Sequence, residues 1–313
     1  MAIATQGGIF MNDAVRRMLQ PYKTNSDADV ERALKEILQE ITLVGLWRGK
    51  FFEHAAFYGG SALRILYGLD RFSEDLDFTL LDNQRPFNWN LFESNVIEEL
   101  SSYGFDVQFM EKKKQSETAV QSAFLKTNTR NAFLQIEAKG LLSNRIHPDA
   151  LIRIKVEVDS YPTLGFDVEP IYLQEPLPVS IRVVKESSLF AGKIHAALYR
   201  AWKNRVKGRD WYDLVWFLRR DILLNSHYLE ECMRTHGDLS KDEKLTENMV
   251  KKLLISRLEE IDLDVAKQDV YPFLRDPAQV DSWSVDFFRH WINRLKFEQR
   301  LSKLKKNLES ISD

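Results

Sequence analysis

Cysteine is almost missing from this 313-residue chain: Cys232 stands alone, which excludes a disulfide within the chain and fits a reducing compartment. Nowhere do about 20 apolar residues run together, the length a helix needs to cross a bilayer. The first residues also lack the basic run followed by an apolar run that marks a secretory leader. Neither secretion nor membrane insertion is expected, and the cytoplasm is the expected location. A broad basic coat is absent too, because 44 Lys and Arg stand against 46 Asp and Glu, leaving a formal net charge of -2. Any cationic surface must therefore be local. The six histidines, His54, His147, His195, His227, His236 and His290, show no His-x3-His spacing, so zinc chemistry has no support. No internal repeat or low-complexity stretch stands out.

With 44% hydrophobic residues, the chain has enough apolar material for one large or two ordinary domains. Val30, Leu34, Ile37, Leu38, Ile41 and Val44 recur at helical spacing and predict an amphipathic helix over 27–50. Strands are expected at 55–58, 75–80, 104–110, 132–138, 150–158 and 179–184, with the Pro-bearing stretch 161–178 as irregular connection. Beyond Ser187 the pattern turns helical, over 188–206, 209–220, 226–234, 246–260 and 282–308, with an exposed loop at 236–244. The expected fold class is α+β. Residues 1–186 would form a mixed-sheet domain with N-terminal helices, and residues 187–313 a helical domain closing the active-site cleft.

The chemistry concentrates between residues 59 and 78. Gly59 and Gly60 end an apolar run; lacking side chains, they let the backbone approach a ligand, while Ser61 is placed to cap a following helix. Free amides at such a helix start receive phosphate. About a dozen residues later come Asp75 and Asp77. In a strand, residues i and i+2 share a face, so the two carboxylates would stand side by side while Leu76 and Phe78 enter the core. Adjacent carboxylates repel, and the usual remedy is a divalent cation; hard oxygen ligands favour Mg2+ over zinc.

Gly59-Gly60-Ser61, a helix, and then Asp-x-Asp on a strand resemble the polymerase-β-type nucleotidyltransferase superfamily. With Arg64 on the helix and Arg-Phe-Ser-Glu-Asp-Leu-Asp-Phe at 71–78, the chain is more narrowly similar to the AbiEii/AbiGii nucleotidyltransferase toxins of abortive-infection and toxin–antitoxin systems. A second block at 193–214, with Lys193 at a helix start and Lys-Gly-Arg-Asp at 207–210, supports the match.

The resemblance implies a two-metal Mg2+ site on Asp75, Asp77 and a third acid. Glu157, on the strictly alternating strand 152–159, is the choice for that acid and Asp159 the fallback. Gly59, Gly60 and Ser61 would hold the triphosphate of an NTP, and Lys193 would offset charge on the leaving pyrophosphate. Asp210 would cap the helix that follows it, with one carboxylate oxygen capping while the other orients Lys193 or Arg209. Ser73, two residues before Asp75, matches a family serine, and the resemblance offers it as a site for the triphosphate or for inhibitory phosphorylation; a turn-capping role is the simpler account. The family implies an RNA acceptor, with the 3′ end of tRNA leading, and a cognate antitoxin.

Basic and aromatic residues interleave over 193–220 and basic residues recur over 289–306. They suit either a single-stranded RNA end or an ordinary solvated helix face. Two alternatives remain: transfer to a protein hydroxyl, and nucleotide binding without turnover.

Overall fold

The computed structural model describes residues 13–82, 87–111, 120–128, 151–200 and 206–299. The chain divides into two compact units, one of Met1–Pro162 with Val168–Val184, the other of Thr163–Asp167 with Lys185–Asp313.

The first unit is built on a seven-stranded mixed sheet. Its strands are β1 (Ala55–Tyr58), β2 (Leu76–Leu80), β3 (Gln108–Glu111), β4 (Val120–Asn128), β5 (Leu151–Asp159), β6 (Val168–Leu173) and β7 (Val179–Val184), in the order β3-β4-β5-β2-β1-β7-β6. The pairs β1/β7 and β2/β5 are parallel and the rest antiparallel. Among the described residues four α-helices accompany it, α1 (Asp13–Leu19), α2 (Asp27–Arg48), α3 (Gly59–Tyr67) and α4 (Glu93–Ser102).

The expected long helix is α2. Ser26 starts it, its hydroxyl accepting the Asp29 amide at 3.2 Å, and Asp27 and Asp29 favour the positive end of the helix dipole. All six apolar positions named from the sequence are buried, each contributing roughly 1.5–3 kcal/mol relative to exposure. At Gly45 an added Cβ would meet the Val96 Cα at 2.8 Å, so a glycine there lets α2 and α4 approach backbone to backbone. On β5, Ile152, Ile154, Val156 and Val158 are all buried, as the alternation predicts.

Three differences from expectation have physical causes. The stretch 161–178 is not wholly irregular, because β6 runs through it despite Pro170. Among the described residues this strand is at the edge of the sheet, paired with β7, and an edge is where a residue without an N–H is tolerated. Strand β4 was not expected, since its polar Gln121, Ser122 and Lys126 dilute the apolar signal of Ala123 and Leu125. Strand β3 begins at Gln108 rather than 104, because Gly104 at φ 89° belongs to the turn closing α4. The strand expected at 132–138 lies outside the described residues.

A charged cluster sits on the polar side of α2. Glu36 accepts the Tyr22 hydroxyl at 2.7 Å and pairs with the Arg64 guanidinium at 2.9 Å. Burial, then the neighbouring Glu36 and Glu175 carboxylates, push the Glu40 carboxyl from 4.5 up to about 8. Raising an acid's folded pKa yields stability that is full below its unfolded value and lost as pH rises through the folded one. Glu40→Gln is accordingly expected to gain on the parent between pH 5 and pH 9, by roughly a few kcal/mol, in urea denaturation. Parallel pH profiles for the two proteins would contradict this placement.

The second unit is helical: α5 (Glu186–Tyr199), α6 (Gly208–Arg219), α7 (Ser226–His236), α8 (Glu247–Glu260), α9 (Leu263–Val270) and α10 (Val285–Ile292). At Gly208 a Cβ would fall 1.7 Å from the Ala266 carbonyl oxygen, so the start of α6 presses on α9 where no side chain fits. Short, polar α9 was not expected. The helix expected over 282–308 ends at Ile292 among the described residues, with 300–308 outside them, and α5 ends at Tyr199, with 201–205 likewise outside. The loop at 236–244 is not uniformly exposed, because Leu239 is buried. Among the described residues no helix is long and apolar enough to cross a membrane.

Candidate active site

Strand β1 buries Ala55, Ala56 and Phe57, and the chain then turns directly into α3 through Gly59 at φ 79°, a conformation that glycine adopts without cost. An added Cβ on Gly59 would lie 2.5 Å from Asp77 Oδ2, and one on Gly60 would lie 2.7 Å from Ser73 Oγ and 3.1 Å from Arg71 Nη2. Both glycines are thus close-approach positions, the first over a carboxylate and the second over a serine hydroxyl and a buried guanidinium.

Ser61 does not cap α3, contrary to expectation. The N-cap is Tyr58, whose side chain makes no capping bond; Ser61 sits inside the first turn, fully buried, and donates its hydroxyl to the Asp75 carbonyl oxygen. This bond ties the start of α3 to the residue preceding β2. It also commits the Ser61 hydroxyl, so what the turn can offer an anion is its backbone amides.

Asp75 and Asp77 alternate with fully buried Leu76 and Phe78, and both carboxylates are partly exposed. In the β2/β5 register Asp77 pairs with Glu157, and Thr79 pairs with Asp159. Of the two acids considered on β5, Glu157 is therefore the one beside Asp77. Asp159 is two residues further on; it accepts the Tyr161 amide at 3.1 Å, and burial raises its carboxyl while that hydrogen bond lowers it.

Glu157 has partners of its own. Ser122 on β4, opposite it in register, donates to Oε1 at 2.8 Å, and Lys155 Nζ is 2.6 Å from Oε2. Ser122 was not singled out from the sequence, because nothing local marks β4 as a strand facing this site.

The donor chemistry allows a test of fit for a divalent cation. Mg2+ is usually held by one or two carboxylates, with water and substrate phosphates completing its shell, and the Asp75/Asp77 pair is suited to that. Among the described residues no three acidic, histidine or cysteine side chains converge into a cage for an ion. Glu157 stands beside Asp77 with its oxygens on Ser122 and Lys155. The two aspartates fit Mg2+ held jointly with a triphosphate.

Ser73 is partly exposed, its hydroxyl oxygen 2.7 Å from where a Cβ on Gly60 would lie and its carbonyl accepting from Gln39 Nε2 at 3.2 Å. Arg64 is turned away, onto Glu36 and the Leu69 carbonyl, which makes it a structural cation. Arg71, 2% exposed, donates to the Phe72 carbonyl at 2.9 Å beneath Gly60.

In the second unit, Lys193 on α5 is 2.7 Å from Asp213 and 3.7 Å from Asp210. Asp210 does not cap its helix: α6 starts at Gly208 with Lys207 as N-cap, and Asp210 is a buried residue of the first turn, also 3.8 Å from Arg200. Arg209 points elsewhere, 3.9 Å from Asp269 and 4.2 Å above the Phe273 ring. Asp213, fully buried, was missed in the sequence. Its i,i+3 spacing from Asp210 was the available signal, since it puts both acids on one helix face.

Lys193→Met is expected to cost about 3–5 kcal/mol, because it removes the cation set against the interior carboxylates of Asp213 and Asp210. Lys193→Met/Asp213→Asn should recover much of that in urea denaturation. If the single variant were as stable as the parent, the Lys193 pair would carry no structural weight. Lost turnover in a Lys193 variant thus reports on folding before it reports on nucleotide.

A family model described as nucleotidyl transferase AbiEii toxin, type IV toxin–antitoxin system, matches residues 41–290. Among solved structures, JHP933 from Helicobacter pylori is similar at 15% identity, covering 89% of this chain and 97% of that one with a TM-score of 0.44. A candidate nucleotidyltransferase from H. pylori is similar at 16% identity, covering 82% of this chain and 92% of that one with a TM-score of 0.42. No curated protein matches the sequence.

Proposed function

Because the chain belongs to the nucleotidyl transferase AbiEii toxin family of type IV toxin–antitoxin systems, we propose that its nucleotidyl transfer takes place at the Gly59–Asp77 element, with RNA as acceptor. Family membership makes it a nucleotidyltransferase toxin with an NTP substrate and a cognate antitoxin. The finer reading rests on one observation, the seating of Gly59 on the Asp77 carboxylate, 2.5 Å from where a Cβ would be. That contact brings the backbone amides opening α3 to the acid pair, so triphosphate and carboxylates meet in one place.

In this reading the amides of Gly60 and Ser61 receive phosphate oxygens, and Asp75 and Asp77 hold Mg2+ together with the triphosphate. The bound ion supplies neutralisation of phosphate charge. An acceptor hydroxyl attacks the α-phosphorus, the bond to the bridging oxygen breaks, and pyrophosphate departs. Glu157, beside Asp77, takes the proton of the attacking hydroxyl, while Ser122 fixes the direction of its carboxylate. The 3′ end of tRNA is the leading acceptor and the cytoplasm the setting.

The test is incubation with each labelled NTP, Mg2+, total cellular RNA and total protein, followed by fractionation. Label on RNA, in the tRNA size range, is the expected result. Label on polypeptide that survives nuclease would instead assign a protein acceptor. NTP binding with neither fraction labelled would reduce the chain to a nucleotide-binding protein.

A further inference from the structure

At the opposite end of β1 from Gly59, the first unit has a cavity. The four residues of β1 separate the two by about 13 Å of strand. The cavity has a volume of about 490 Å3 and is lined by Trp47 and Arg48 at the end of α2, by Lys50 just past it, by Glu53, and by Ser180 and Arg182 of β7, with Phe52 and Pro170 completing its apolar part. This is within the size range of small-ligand sites, about 300–1,000 Å3, and none of these residues takes part in the site already described.

Its chemistry is specific. Trp47 is 39% exposed, a large indole left at the surface. Arg48 is tied to buried Glu99, so its charge is largely answered. Among the described residues no carboxylate pairs with Lys50 or Arg182, and Arg182 Nη1 donates instead to the Glu53 carbonyl oxygen at 3.2 Å. The charged groups at the wall, Arg48, Lys50 and Arg182 against Glu53, leave a net positive cavity even with Arg48 answered by Glu99.

Lys50 also has φ 61°, the left-handed region that a non-glycine residue adopts at a cost. Strained backbone persists where the surroundings impose it, and such positions cluster at ligand sites. The strain here presents a lysine at the rim of the cavity rather than a glycine.

We propose that this cavity holds one unpaired nucleotide of a single-stranded RNA, its base against Trp47 and its phosphates met by Lys50 and Arg182. Indole faces stack on any base, and cations beside them neutralise the backbone, which is the common pattern for single-strand binding. The Ser180 hydroxyl supplies a partner for a ribose 2′-OH, the group that separates RNA from DNA. The assignment deepens the acceptor reading above and rests on it for the choice of RNA; its test reads binding without NTP, so failure of transfer and failure of this site are told apart.

The experiment measures binding of a labelled single-stranded RNA oligonucleotide to the full chain across a salt series. Lys50→Gly is the safest variant, because glycine relieves the left-handed backbone and should leave the fold as stable or more so. Combined with Arg182→Gln, whose amide can still donate to the Glu53 carbonyl, it should lower the slope of log affinity against log salt by about 1.4, two phosphates' worth for a single strand. Trp47→Leu should weaken binding about tenfold with little change in slope. Unchanged affinity in all three variants, with folding verified, would overturn the site. Equal affinity for the DNA oligonucleotide of the same sequence would overturn its assignment to RNA.

Discussion

Asp77→Asn is expected to reduce nucleotide transfer by at least about a thousandfold, the scale on which charge stabilisation of a transition state operates. Asparagine keeps the shape that lies under Gly59, where the α-carbon leaves no room for anything larger. It removes the charge that would bind a cation. In the absence of metal the variant should be as stable as the parent or slightly more so, because a neighbouring like charge is gone. Asp75→Asn should act in the same way, and the bond from Ser61 would survive, since that bond ends on the Asp75 backbone rather than its carboxylate. Transfer at the parent rate by either variant, measured with labelled NTP and RNA, would remove the acid pair from the chemistry.

The second large effect concerns the glycine above the pair. Gly59→Ala places a residue with a side chain at φ 79° and puts its Cβ 2.5 Å from Asp77 Oδ2. The backbone alone costs about 1–2 kcal/mol, and the carboxylate must also move. Displacing a reacting group by about 1 Å can cost about a hundredfold in rate, so transfer should fall by that much or more. Gly68→Ala is the matched control: φ there is 80°, but nothing lies within 4 Å of the added carbon. Its stability should drop by a similar amount while transfer per folded molecule stays at the parent level. Equal loss of activity in the two variants would mean that the Gly59 contact with Asp77 has no catalytic consequence.

These experiments rest on features that differ in how openly the sequence displays them. The carboxylate pair and the two glycines are legible because their spacing is local: alternation along β2 buries Leu76 and Phe78 and leaves Asp75 and Asp77 partly exposed. Helix α2 and strand β5 are legible for the same reason, each having a strict period along its length. What the sequence hides is pairing between segments distant along the chain. That Glu157 stands beside Asp77, and Asp159 beside Thr79, is a property of the β2/β5 register. Nothing along β5 fixes that register, although a shift of two residues would exchange the two acids. Ser122 acquires its contact with Glu157 only because β4 lies on the other side of β5.

The second unit shows the same limit. The sequence offers Lys193 to the leaving pyrophosphate and does not mark Asp213 as its partner, and only the packing of α5 on α6 sets the two 2.7 Å apart as an ion pair. Pro170 misleads in the opposite direction. It argues against a strand until the strand is known to be at the sheet edge.

The central claim, that an acceptor hydroxyl displaces pyrophosphate at the α-phosphorus, is tested most directly by comparing NTP labelled at the α-phosphate with NTP labelled at the γ-phosphate. The account predicts α label on RNA and γ label released as pyrophosphate, in equal amounts, with both lost in Asp77→Asn. Label from the γ position on the acceptor, or release of orthophosphate with no α label transferred, would contradict it.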